Sequence, residues 1–240
     1  RILLASEEIK QTSDQYKGLI AGHLKIAIVS TGKYVMPYLL SGFTHRFPAV
    51  DVALDVSNKH RVVEALSKNE IDFALVSVLP DDLKLKKVDL MENSLYLVGN
   101  ADKAKVFRGK TVGAKELEEL PFIFREQGSA TRNAMENFLE SNNVKAKQQY
   151  ELVSNEAVKQ AVNAGLGYSI MPLIGLRNVI NAGEIQLIKT KGLPVKTKWM
   201  LCYLEGKKLS PAADAFINFL ESHKETLIEK YFGWSRNVET

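Results

Sequence analysis

Apolar positions along this chain recur with two periods, close to two in some stretches and close to 3.6 in others, and the two kinds of stretch alternate. From His23 to Val29, Leu24, Ile26 and Ile28 share one face before Ser30, Thr31 and Gly32 interrupt the run, which predicts a strand entering a turn. Val35, Leu39, Leu40 and Phe43 then fall at helical spacing, with Pro37 tolerable in a first turn and Phe47-Pro48 closing the helix. Val50, Val52, Leu54 and Val56 alternate with Asp51, Ala53 and Asp55 as a half-buried strand. Residues 59–68 read as a helix through Val62, Val63 and Leu66, and Asp72 to Val78 has the length of a buried strand. Strand, helix, strand, helix, strand implies parallel pairing, because parallel neighbours need crossover connections.

Leu95 to Gly99 predicts a further strand, and Ala101 to Lys115 is charged and poorly periodic, which places a lobe boundary there. The βα pattern then restarts. Strands are expected at Pro121–Arg125, Gln149–Val153 and Tyr168–Met171, with helices over residues 130–140 and 155–164 between them. Gly165 and Gly167 stop the second of these helices and turn the backbone into its strand. Residues 195–204 form a long strand, after which Ser210-Pro211 supplies an N-cap and first-turn proline for a helix with Phe216, Phe219 and Leu220 on its apolar face. Residues 231–240 read as a tail. At the other end, Ile2, Ala5, Ile9, Thr12, Tyr16 and Leu19 follow a coiled-coil seam for under three heptads, compatible equally with a coiled coil and with an amphipathic helix packed on its own domain.

Composition narrows the function classes. With 240 residues, 45% of them apolar, the chain supports two lobes or one large α/β domain and buries enough surface to need no staple. Cys202 is the single cysteine, which excludes an internal disulfide and multi-cysteine zinc patterns and agrees with a reducing compartment. His23, His45, His60 and His223 show no ligand spacing, so no metal is expected. A net charge of +4 is too weak and dispersed to indicate a nucleic-acid surface. No apolar run approaches the roughly 20 residues of a membrane span. The start at Arg1, without initiator methionine or secretory pattern, points to a fragment of a longer protein.

Enzyme signatures fail one by one. Gly109-Lys110-Thr111 resembles the end of a phosphate-binding loop, but Ala104 stands where that loop requires glycine. Gly165-Leu166-Gly167 precedes a strand, unlike a dinucleotide fingerprint. The pairs Asp81-Asp82 and Glu118-Glu119 read as solvated, and Cys202 as a core residue. Neither catalytic residues nor a cofactor are expected. Two segments remain: Ser30-Thr31-Gly32-Lys33 and Gly128-Ser129-Ala130-Thr131, each joining a strand to a helix N-terminus, where free N–H groups and the dipole favour an anion. Arg125 and Arg132 flank the second and could each fork a carboxylate or phosphate. The alternative is that Ser30 and Ser129 are ordinary N-caps, each stabilising its helix by about 1 kcal/mol.

These residues resemble the effector-binding domain of LysR-type transcriptional regulators. The resemblance runs from Gly22-His23-Leu24-Lys25-Ile26 through Phe47-Pro48 and Asp72-Phe73-Ala74-Leu75-Val76 to Leu209-Ser210-Pro211-Ala212-Ala213. Its most specific piece is Arg125-Glu126-Gln127-Gly128-Ser129-Ala130-Thr131-Arg132, similar to the family's Arg-Glu-x-Gly-Ser-Gly-Thr-Arg; Asn155-Glu156-Ala157-Val158-Lys159 and Met171-Pro172 extend it. It implies an α/β fold of two Rossmann-like lobes joined by two crossover strands, the type 2 periplasmic-binding-protein fold. Residues 1–21 would end a linker helix, 22–101 and 197–232 would form lobe I, 102–196 lobe II and 233–240 a tail. A small anionic effector would sit in the inter-lobe cleft, held by Ser30, Thr31 and Gly32 from one lobe and Arg125, Gly128, Ser129, Thr131 and Arg132 from the other. DNA would be bound by an N-terminal domain outside this chain, in a cytoplasmic protein that is a homodimer here and a homotetramer at full length. Helix 35–47 is the candidate dimer surface. Two departures stand out: Ala130 replaces a usual glycine, and the turn around Ser30 is one residue shorter than the common pattern. An extracytoplasmic solute-binding protein on the same fold is the alternative reading.

Overall fold

A computed structural model describes residues 20–80 and 82–238. The heptad-patterned residues 1–19 and Asp81 of the first acidic pair lie outside them. The described residues divide into two compact units, the first built from 20–57, Arg61–Met91 and Trp199–Gly233, the second from Asn58–His60, Glu92–Lys198 and 234–238.

In the first unit, β1 (Gly22–Val29) lies between β2 (Val50–Ser57) and β3 (Phe73–Val76), parallel to both. Helix α1 (Met36–Arg46) connects β1 to β2, and α2 (Lys59–Ser67) connects β2 to β3, the crossovers that parallel pairing demands. The side-chain alternation read from the sequence holds in the first half of β1, where Leu24 and Ile26 are buried and His23 and Lys25 exposed; from Ile26 to Val29 every residue is buried, because β1 is a central strand covered on both faces. Phe43 on α1 meets Phe216 edge-on at 5.0 Å, tying α1 to the long C-terminal helix, which is N-capped as expected by Ser210.

In the second unit, β5 (Pro121–Arg125) runs parallel to β6 (Lys147–Leu152), and its other side meets Tyr168 at a parallel bridge. Ser169 Oγ donates to the carbonyl of Ile123 at 2.8 Å and fixes the start of β7 (Ser169–Pro172). Helix α3 (Ala130–Ser141) follows β5 and α4 (Asn155–Asn163) follows β6. Phe122, Met135, Phe138, Tyr168 and Ile170 form one core cluster, Ile123, Val158, Val162 and Met171 another. Tyr168 is a packing residue, its ring edge-on to Phe107 at 5.9 Å and its hydroxyl donating to the carbonyl of Lys103.

Two strands belong partly to each unit. The strand expected at 95–99 is a 16-residue strand, β4 (Leu85–Asn100), and the chain changes unit within it. The part before Leu95 carries no apolar alternation, because most of its side chains are not buried and one of its two buried positions, Val88 and Asn93, is polar. A short strand, Ile185–Leu187, pairs with β4 and was also not predicted. The long strand at 195–204 is present as expected, pairs antiparallel with β3, and is the second strand in which the chain changes unit. The expected tail begins too early: Tyr231 and Phe232 belong to the last helix, Pro211–Phe232, and Gly233–Asn237 continue as a 3-10 turn. Phe232 is buried, and Trp234 receives the Arg177 guanidinium over its ring at 5.2 Å.

Candidate functional site

In the first unit the predicted residues leave β1 in an unexpected way. Ser30–Tyr34 form a 3-10 turn, closed by Val35 N–H donating to the Gly32 carbonyl at 2.9 Å, and α1 begins only at Met36. Ser30 is therefore not the N-cap of α1, and the expected direct step from strand to helix N-terminus is replaced by this turn. Thr31 and Gly32 are buried. A Cβ on Gly32 would stand 3.0 Å from Ile28 Cβ and 3.0 Å from Leu75 Cδ2, so the turn packs closely on β1 and β3 and a side chain there would push these neighbours aside by a few tenths of an ångström.

In the second unit the expected arrangement is present. Gly128 adopts φ +79°, which reverses the chain after β5 and places Ser129 in the extended N-cap conformation. The Ser129 side chain makes no capping hydrogen bond. The first helical bond runs from Asn133 N–H to the Ser129 carbonyl at 3.0 Å, so the amides of Ala130, Thr131 and Arg132 precede the helical ladder. Ala130 is the first residue of α3 and takes an ordinary helical conformation, so the replaced glycine introduces no backbone strain.

The two arginines have different jobs. Arg132 is buried and engaged through all three nitrogens: Nε donates to Glu136 Oε1 at 2.7 Å, Nη1 to Glu151 Oε2 at 2.6 Å and to the Arg125 carbonyl at 2.7 Å, and Nη2 more weakly to Gln148 Oε1 at 3.5 Å. Burial pulls its pKa down, but pairing with Glu136 and Glu151 outweighs that and raises it. It fastens the first turn of α3 to β5 and β6. Arg125, 3% exposed, donates from Nε and Nη2 to the two carboxylate oxygens of Glu126 at 2.7 and 2.8 Å. Its Nη1 is buried without a partner.

Asn155 was not singled out as a site residue from the sequence. It is the first residue of α4, 2% exposed, and neither atom of its side-chain amide has a hydrogen-bond partner. Such a group typically destabilises a fold by about 1–3 kcal/mol. Its place in the second βα series is the signal that would have found it, since Ser154-Asn155 follows β6 as Gly128-Ser129 follows β5. Leu152, the last residue of β6, is the register partner of Arg125, so the two helix starts lie at the same end of adjacent parallel strands.

Cys202 is fully buried, burial pushes its thiol up to about 12, and Sγ lies 3.5 Å from the Ala74 carbonyl, so it is the core residue expected. Among the described residues no three His, Cys, Asp or Glu side chains are grouped to hold a metal ion, and no helix is long and apolar enough to cross a membrane. The first unit also contains a cavity of about 320 Å³ lined by Arg46, Phe47, Asp214, Phe219 and His223 among others; it includes none of the predicted site residues.

The LysR substrate binding domain family matches residues 17–225. The HTH-type transcriptional activator CmpR of Synechocystis is 33% identical over 233 residues, 94% of this chain and 76% of that protein. A RuBisCO operon transcriptional regulator of Acidithiobacillus ferrooxidans is 34% identical, over 91% of this chain and 71% of its own length. Among solved structures, the CcmR regulatory domain of Synechocystis in complex with 2-PG is similar at a TM-score of 0.80 and 31% identity, covering 85% of this chain and 98% of that one.

Proposed function

Because the chain belongs to the LysR family of transcriptional regulators, whose effector-binding domain it contains, we propose that it binds a small anionic metabolite through its two strand-end turns. The family is one of regulators and not of enzymes, and the transporter alternative is not favoured. The observation that carries the reading is the turn from Arg125 to Thr131: first-turn amides ahead of the helical ladder, an N-cap serine whose hydroxyl caps nothing, and a buried guanidinium with one NH₂ left over. Preorganised donors of this kind are what an oxyanion requires. Ser30, Thr31 and Gly32 form the second donor set. Arg132 supports the site from behind, holding α3 in place while Gly128, Ser129 and Thr131 face the effector.

Effector binding is coupled to DNA through an N-terminal DNA-binding domain beyond this chain, in a cytoplasmic homodimer of these domains that is a homotetramer at full length. Coupling of this kind requires the effector to prefer one arrangement of the protein over another, since equal affinity for both shifts nothing. The experiment is calorimetric titration of this chain with 2-PG, repeated with Thr131→Val. The reading expects wild-type binding and at least a tenfold weaker variant whose ligand-free melting temperature is unchanged. Equal affinity in wild type and variant would overturn it.

A further inference from the structure

We propose that Asn155 selects the effector by reading a group that both donates and accepts a hydrogen bond, such as a hydroxyl beside the anionic group, and not a second anion. The inference rests on the effector reading above and deepens it.

At this end of the second unit both arginines are already matched, Arg125 by Glu126 and Arg132 by Glu136 and Glu151. Two guanidinium groups face three carboxylates, so there is no surplus positive charge to attract two anionic groups at once. Among the described residues of these turns, the buried side-chain atoms without partners are the Arg125 Nη1 donor and the two polar atoms of the Asn155 amide. Backbone amides of α3 and Arg125 Nη1 serve one anionic group. The Asn155 amide is left to serve something else.

A carboxamide has a donor end and an acceptor end, and in Asn155 both are buried and both lack a partner. A carboxylate or phosphate offers only acceptors; it would satisfy Nδ2 and leave Oδ1 facing another oxygen. A hydroxyl accepts from Nδ2 or donates to Oδ1, and one able to lie across the amide does both. Exchanging the amide's two ends by rotation leaves this count unchanged. Placement agrees: Asn155 opens α4 three residues after Leu152, which is in register with Arg125, and Glu126 N–H donates to the Leu152 carbonyl at 3.2 Å.

The test uses this chain and two matched pairs of monocarboxylates, lactate with propanoate and 3-hydroxybutanoate with butanoate, each pair differing by one hydroxyl. Thermal shift and calorimetry are expected to show at least a tenfold preference for the hydroxylated member of a pair. Asn155→Leu, or Asn155→Ala should the first not fold, is expected to abolish that preference while still binding the deoxy member, with a ligand-free melting temperature equal to or above wild type. Equal binding of both members by wild type, a preference kept in the variants, or a marked loss of stability in both variants overturns the assignment of Asn155. If wild type responds to none of the four anions and not to 2-PG, the effector reading falls and takes this inference with it.

Discussion

The Nη1 of Arg132 lies 2.6 Å from Glu151 Oε2, a bond from the first turn of α3 to the edge strand β6, and the same nitrogen reaches the carbonyl of Arg125 at 2.7 Å. One side chain thus links three consecutive elements of the second unit. Arg132→Met is expected to destabilise the protein by about 2 kcal/mol, below the range for breaking a fully buried pair because Glu136 and Glu151 are partly hydrated. Urea unfolding checks this; an unchanged midpoint would show that the network adds no stability.

Two serines at helix starts separate stabilising from binding. Ser210 Oγ accepts from Ala213 N–H at 3.2 Å, whereas Ser129 makes no such bond. Ser210→Ala should lower stability by about 1 kcal/mol and leave effector affinity alone. Ser129→Ala should do the reverse, with stability within about 0.5 kcal/mol of wild type. Paired unfolding and calorimetry read both quantities, and equal stability losses in the two variants would make Ser129 an ordinary cap.

Gly32 supplies a steric prediction. A methyl group there must move Ile28 or Leu75, both fully buried, so Gly32→Ala should lower stability by about 1–3 kcal/mol. Thermal unfolding of the ligand-free chain measures it, and a neutral result would mean that the 3-10 turn is not packed against β1 and β3.

Cys202 should be inert. Burial raises its thiol to about 12, so its thiolate is scarce at any pH the fold tolerates, and a chromogenic disulfide reagent at pH 8 should react only after denaturation. Rapid reaction of the native protein would contradict the placement of this residue in the core.

Periodicity made β1, β3 and β5 legible because each buries alternate or consecutive apolar residues, as at Leu24, Ile26 and Ile28, whereas β6 buries none of its side chains and was placed by the βα order around it. It failed where burial and apolarity part company: before Leu95, β4 buries only Val88 and the polar Asn93 and leaves its other side chains half-buried or exposed, so no alternation marks it. The same reason hid Asn155, whose burial without partners is visible only in three dimensions. Charge pairing was equally out of reach. Arg125 and Arg132 look alike beside Gly128-Ser129, yet one keeps a donor unpartnered and the other is engaged by Glu136 and by Glu151, nineteen positions away in sequence. Ser30 was misplaced because the tripeptide Ser30-Thr31-Gly32 is equally consistent with an N-cap and with a 3-10 turn.

The central claim is that the amides and hydroxyls of the two strand-end turns receive the effector. Amide resonances of this chain during titration with 2-PG test it residue by residue. The account predicts that Gly128, Ser129, Ala130 and Thr131 shift together with Ser30 and Thr31 along one binding curve; shifts confined to the cavity around Phe219 and His223, with both turns unmoved, would contradict it.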